Sequence, residues 1–156
     1  MFTTVLGSCI SACLYDAESG IGGMNHFLLP STSAQDGKNA RYGVHAMELL
    51  INGVLKKGAT RSMLRVKIFG GAKMSANLSD IGLSNADFVQ RFLRDEGISC
   101  VSSSVGGTSA RRVRFHPVSG NAQQTRVEND RRLGEQERAA ARPAPVKEDV
   151  GAVMLF

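Results

Sequence analysis

Tryptophan is absent from this chain, and aromatic residues fill only 6% of its 156 positions. A stacking platform for single-stranded nucleic acid, which needs aromatic faces in series, is therefore poorly supplied. Cysteines number three, an odd count that suits a reducing compartment better than a disulfide scaffold. No stretch approaches the ~18 apolar residues of a membrane helix. Leu6-Gly7-Ser8-Cys9 resembles a lipoprotein cleavage box, but the first basic residue is Lys38. A signal peptide needs a basic start and about 7–15 apolar residues before its cleavage site. The expectation is a soluble, cytoplasmic protein with no membrane insertion.

What is present suits a single folded domain. Hydrophobic residues make up 42% and charged residues 21%, which is ordinary globular usage. The net charge of +5 is unevenly placed. Residues 1–127 hold 14 Lys and Arg against 8 Asp and Glu, whereas residues 128–156 hold 5 against 6. The folded body is thus the basic part, and it favours an acidic partner. Arg111, Arg112 and Arg114 are the only tight basic group, so nucleic acid is not an expected partner. The domain is placed at 1–127. Residues 128–156 read as a charged, flexible tail whose last residues, Val153-Met154-Leu155-Phe156, are apolar enough to dock back.

Along the body, Phe2–Leu6 is a short strand broken by Gly7-Ser8, and Cys9–Tyr15 alternates. Ile10, Ala12 and Leu14 share one face; Cys9, Ser11, Cys13 and Tyr15 share the other. Asp16 to Gly20 is turn chemistry, and Ile21–Leu29 resumes as a strand. Pro30 to Asn39 reads as a loop. Val44, Met47, Leu50, Ile51, Val54 and Leu55 then recur at helical spacing, with Asn39 a candidate N-cap and Gly58 the stop. Leu64, Val66 and Ile68 mark a half-buried strand ending at Gly70-Gly71. A second helix is expected from Ser84 to Gly97, with Ser84 and Asp87 at capping-box spacing. Ile98–Ser104, Arg111–Phe115 and Ala122–Val127 complete the strands. Many strands and two helices give an α+β or layered α/β sandwich.

Cys9 and His26 carry the chemical interest. If Asp16–Ser19 closes a four-residue hairpin, facing residues have numbers summing to 35, so Cys9 faces His26. Directly opposed Cβ atoms lie about 4.5–5.5 Å apart, which suits a thiol and an imidazole. A neighbouring imidazolium raises the thiolate fraction of a cysteine, and the same ring can later protonate a leaving amine. Gly7-Ser8 permits a sharp turn whose backbone N–H groups face a developing oxyanion. A threonine hydroxyl on the preceding strand can hold the imidazole tautomer, as the third member of a triad does.

The bland alternatives are concrete. A strand cysteine is usually a small buried hydrophobe, and a lone histidine is usually structural. Cys13 is expected to pack, Cys100 to lie in the core, His45 to be structural or solvent-edge, and His116 to lack an obvious partner. Cys9 and Cys13 make a poor metal pair, because four strand residues span about 13 Å while zinc holds sulfur at ~2.3 Å. The pairs Gly22-Gly23, Gly70-Gly71 and Gly106-Gly107 lack phosphate-loop spacing. They read as turns and bulges, or as points of close backbone approach to a substrate. Phe27, Leu28 and Leu29 are core candidates.

Taken together, Leu6-Gly7-Ser8-Cys9, Gly23-Met24-Asn25-His26-Phe27-Leu28-Leu29-Pro30, Arg41-Tyr42, Phe69-Gly70-Gly71-Ala72 and Gly106-Gly107 with Arg111 resemble the chemoreceptor glutamine deamidase family, CheD. The resemblance covers roughly residues 2–120. It implies β layers with helices on one side, and a Cys-His-Thr triad that maps by position onto Cys9, His26 and Thr3. It implies a protein-glutamine deamidase working through a thioester on Cys9, with the cytoplasmic helical bundle of a chemoreceptor as substrate and no metal or organic cofactor. A CheC-type phosphatase is a further partner the resemblance suggests. Two alternatives stay open: a non-catalytic chemotaxis adaptor, and a receptor methylesterase using the same cysteine. The pattern departs at Ser84, where the family typically has an arginine before Asn85, and in the charged tail.

Overall fold

The computed structural model describes residues 1–29, 36–74, 81–127 and 152–155. Alternation along β2 (Ile10–Asp16) sets the layering. Ile10, Ala12 and Leu14 turn toward the helices, while Cys9 and Cys13 turn toward a second sheet. A strand buried on both faces must satisfy two cores at once, and the two sets of side chains belong to separate clusters.

The elements follow the order β1 (Phe2–Leu6), β2, β3 (Ile21–His26), α1 (Asp36–Lys56), a 3-10 turn at Arg61–Met63, β4 (Arg65–Gly70), α2 (Ile81–Glu96), β5 (Ser99–Val105), β6 (Ala110–His116), β7 (Asn121–Val127) and β8 (Ala152–Leu155). Five strands form one sheet in the order β5-β4-β2-β3-β8, and three form the other in the order β1-β6-β7. Among the described strands only β4 and β5 pair in parallel, as the intervening α2 crossover requires. Both helices pack on the five-stranded sheet through Met47, Leu50, Val54, Val89 and Leu93. Leu6, Val113 and Phe115 of the smaller sheet cover its opposite face. The result is a helix-sheet-sheet α+β sandwich, the expected class.

Both helices end in the same way. Gly58 (φ +111°) and Gly97 (φ +67°) take the left-handed conformation. Ala59 N–H donates to the Val54 carbonyl and Gly58 N–H to that of Leu55, and Ile98 and Gly97 repeat the pattern on Leu93 and Arg94. These paired bonds form the Schellman stop. The starts differ from expectation. α1 begins at Asp36, so Asn39 lies within the helix rather than capping it. Its first turns are largely exposed around Lys38, Ala40 and Arg41, and show no apolar period to read. α2 begins at Ile81, three residues before Ser84. There Gly82 lies so close to Gly71 and Ala72 that a β-carbon would come within 2.6 Å of their carbonyl oxygens. Only a residue without a side chain fits that first turn so close to the neighbouring backbone.

The β2–β3 hairpin also departs from the expected register. Asp16 pairs with Ile21, Tyr15 with Gly22 and Cys13 with Met24, so facing numbers sum to 37 rather than 35. Asp16 is the last strand residue, because its Oδ1 accepts the N–H groups of Glu18 and Ser19 and its carbonyl accepts that of Gly20. The side chain thereby moves the loop one residue along. A change of two in the sum keeps every side chain on its face. Cys100 is exposed on edge strand β5, where Ser99 to Ser103 all face solvent, and so lies outside the core. Of the expected tail, residues 128–151 lie outside the described residues, and β8 is a strand of the larger sheet.

Candidate active site

The site is assembled between the two sheets, at the end of β2 opposite its hairpin. Extending the observed register places His26 across from Ser11 and makes Cys9 its diagonal neighbour on the same face. Diagonal partners lie roughly 7–8 Å apart at the backbone and closer at Cβ, within reach of long side chains. Cys9 is 9% exposed and His26 is half-buried. Both therefore border solvent.

His26 is held from the smaller sheet. Its Nδ1 and Thr4 Oγ1 share a hydrogen bond of 3.0 Å. Thr3, the threonine mapped from the family pattern, is exposed and pairs with Arg114. Period-two alternation explains the difference. Leu6 and Phe2 pack into the inter-sheet cluster, so Thr4 shares their inward face and Thr3 faces outward. The buried Leu6 was the signal available in the sequence for choosing Thr4.

The turn bearing Cys9 is fixed through its carbonyls. Ala72 N–H donates to the Gly7 carbonyl at 2.8 Å and Gly71 N–H to that of Cys9 at 2.8 Å. Asn85 Nδ2 donates to the Ser8 carbonyl at 3.2 Å. A trans peptide sets its N–H opposite its own carbonyl, so each of these three linked peptides turns its N–H away from the group that holds its carbonyl; that of Ile10 donates to the Phe27 carbonyl at 2.9 Å. Asn85 is fully buried and also accepts Leu29 N–H at 2.8 Å through Oδ1, so it joins the Cys9 turn to the segment after His26. The sequence reading did not single out this role. A buried amide at helical spacing among apolar neighbours was its only trace.

Two of the three glycine pairs, Gly70-Gly71 and Gly106-Gly107, serve this turn. Gly70 has φ +114°, and a β-carbon there would overlap the Cys9 carbonyl oxygen. Gly106 N–H donates to the Gly70 carbonyl at 2.9 Å, and Lys73 N–H to that of Gly107 at 2.8 Å. Arg111, only 8% exposed, donates to the carbonyls of Ser104 and Gly106 and to the Ser104 hydroxyl. Burial, with Arg126 nearby, holds its pKa below the ordinary guanidinium range. Arg111 thus braces the Gly106-Gly107 turn, which supports Gly70, which in turn supports Cys9.

The remaining candidates lie elsewhere. Cys13 is fully buried, and burial pushes its thiol up to about 12. Phe27 and Leu29 are core residues, with Leu28 partly buried on the opposite face. His45 is exposed on α1. His116 is exposed and has a partner after all, Ser119 Oγ, 3.1 Å from its Nδ1. Among the described residues no three His, Cys, Asp or Glu side chains are grouped to hold a metal ion. No helix among them is long and apolar enough to cross a membrane.

Residues 28–126 match the family described as CheD chemotactic sensory transduction. The chain is 70% identical over its full length to a probable chemoreceptor glutamine deamidase CheD 1 from Ruegeria sp. (strain TM1040), covering 86% of that protein. It is 60% identical to a probable chemoreceptor glutamine deamidase CheD from Caulobacter sp. (strain K31), covering 84% of it. A relative of the same description from Agrobacterium fabrum is 51% identical over 96% of the chain, which covers 85% of that relative. The chain belongs to the CheD family. The CheD match includes the Gly70-Gly71 and Gly106-Gly107 turns and Asn85, so the scaffold around Cys9 lies largely inside it. Ser84 is half-buried on α2 beside Asn85.

Proposed function

We propose that the protein is a glutamine deamidase that acts on the cytoplasmic helical bundle of chemoreceptors, with Cys9 as nucleophile and His26 as general acid and base. The observation that carries this reading is the Thr4–His26 hydrogen bond. It engages Nδ1 and so orients the ring, which shares its strand face with Cys9; in this reading Nε2 is the nitrogen that moves the protons.

The chemistry follows in two halves. The Cys9 thiolate adds to the side-chain amide carbon of a glutamine, and backbone N–H groups of the Gly7-Ser8-Cys9 turn stabilise the oxyanion. Collapse breaks the C–N bond, His26 supplies the proton that releases ammonia, and a thioester remains. His26 then takes a proton from water, whose oxygen attacks the thioester. Glutamate leaves, and Cys9 recovers its starting form. Thr4, rather than Thr3, fits the place of the residue that fixes the imidazole. Each step is proton transfer or acyl transfer, so these side chains suffice without a cofactor. The basic body suits an acidic helical surface, and a cytoplasmic location follows from that substrate.

The test is incubation with receptor cytoplasmic fragments, followed by peptide mass spectrometry for conversion of amide to acid. Conversion lost in Cys9→Ala and in His26→Ala supports the reading. Conversion that survives Cys9→Ala removes Cys9 as nucleophile. Methanol release from methylated receptor without deamidation would replace the reading with an esterase. Receptor binding with no chemistry would replace it with an adaptor.

A further inference from the structure

The strand that carries His26 is held less firmly by β2 than its neighbours are. Backbone pairing between β2 and β3 runs from Asp16–Ile21 to Cys13–Met24 and is next found at Ile10–Phe27. Between these points Ala12 N–H donates at 2.9 Å to the side chain of Asn25, not to a main-chain carbonyl. Asn25 and His26 instead pair with the other edge, where β8 runs antiparallel with Val153 opposite Asn25 and Ala152 opposite His26. Where the β2 ladder lapses past Met24, pairing with β8 continues along the opposite edge of β3 through Asn25 and His26.

A socket built from two glycines seats β8. A β-carbon at Gly23 would come within 2.7 Å of a Leu155 methyl, and one at Gly53 within 2.6 Å of the other. Leu155 and Val153 pack on the helical core, and Met154 joins the inter-sheet cluster that contains Cys9. Glycine is poor in helix interiors, so Gly53 in the middle of α1 is explained by the leucine it admits.

We infer that the C-terminal strand is a positioning element for His26, needed for reaction although it contributes no reacting group. This rests on the reading of Cys9 and His26 given above. Without β8 the backbone of Asn25 and His26 becomes a sheet edge, free to shift the ring away from Cys9. Displacements of about 1 Å in a reacting group lower rates by up to roughly a hundredfold.

The experiment compares the full chain with a variant lacking residues 151–156 and with Gly53→Leu, which closes the socket without touching the ladder. A Cys100→Ser background leaves one accessible thiol. Receptor-fragment deamidation should show kcat reduced at least tenfold in both variants, with KM changed little. The pH profile of Cys9 alkylation should move upward, as a thiol without a held imidazole ionises later. A synthetic peptide of residues 151–156 should restore both in the truncated protein but not in Gly53→Leu. Unchanged kcat and an unchanged alkylation profile in either folded variant overturn the inference. If truncation prevents folding, Gly53→Leu and Leu155→Ser decide by the same readouts. If the full chain itself deamidates nothing, the functional reading fails, while the alkylation profile still decides whether β8 holds His26.

Discussion

The two ends of β2 present the same face to the same inter-sheet cluster, yet they surround their thiols differently. At the hairpin end, Cys13 is sealed, its thiol is pushed up to about 12 by burial, and the strand is closed by the Asp16 turn. At the other end, four residues away, Cys9 sits at the border of solvent on a turn pinned through three carbonyls, beside a half-buried histidine. Residue type does not separate the two cysteines. Water and neighbouring groups do: burial in apolar surroundings keeps a thiol neutral and inert, while access and an imidazole make it a nucleophile.

The sharpest way to break this comparison is to exchange the losses. Cys9→Ser is expected to reduce receptor deamidation at least about 10³-fold with little change in thermal stability, since it replaces the nucleophilic sulfur and little else. Cys13→Ala is expected to keep the activity within a fewfold while lowering stability by about 1 kcal/mol, the common effect of trimming a buried side chain. Activity assays and urea melts on the two variants read this directly. A Cys13→Ala variant that folds and is inactive would mean that the two ends are not separable.

Next in size is the support beneath Cys9. Gly70→Ala must place a methyl group against the Cys9 carbonyl in a left-handed backbone conformation. It is expected to destabilise the protein by roughly 3 kcal/mol or more, and to disable the site in whatever fraction folds. Gly58→Ala has a positive φ too, but meets only the Ile21 side chain at 3.4 Å. It should therefore cost less stability and leave kcat unaltered.

The threonines give a finer contrast. Thr4→Val keeps the shape and deletes the hydroxyl at His26 Nδ1, so kcat should fall roughly ten- to a hundredfold, with a changed pH–rate profile. Thr3→Val, on the outward face, should stay within twofold. The reverse result would move the triad back to the position mapped from the family pattern.

These pairs also show what could be read in advance. Cys9 and His26 could be picked out as candidates, with the glycine turns near them, because a thiol, an imidazole and a turn leave residue types in order along the chain. The face of each was legible because parity survives a two-residue error in register: a sum of 35 and a sum of 37 place Cys9 and His26 on the same side. The register itself was not, because it depends on an Asp16 side chain capturing two backbone N–H groups. Asn85 was hidden for a similar reason. Its partners, the Ser8 carbonyl and Leu29 N–H, lie 77 and 56 residues away in sequence. The helix starts lie in an exposed first stretch of α1 and at the close backbone approach of Gly82 in α2, neither of which shows an apolar period. Strand β8 was visible only as a short apolar run, without a sign of where it would pair.

The smallest effect predicted on Cys9 itself, none at all, comes from a change at the closed end and tests whether that end is purely structural. Asp16 is almost fully buried, and its carboxylate accepts the N–H groups of Thr60, Glu18 and Ser19. The bond from Thr60 is the largest cause that holds its pKa below the ordinary carboxylate value. A depressed folded pKa means that the native state binds this proton less readily than the unfolded chain does. The stabilisation is therefore complete above the unfolded value near ~4 and fades as pH falls through the lower, folded value. Asp16→Asn should then lower stability by about 1.5–3 kcal/mol at pH 7, and the gap from the parent should narrow in urea melts taken below about pH 4. Cys9 alkylation at neutral pH should be the same in both proteins, because the turn that Asp16 closes lies at the far end of the strand. A change in Cys9 reactivity would show that the hairpin and the site communicate along β2, and the division between a structural end and a chemical end would have to be withdrawn.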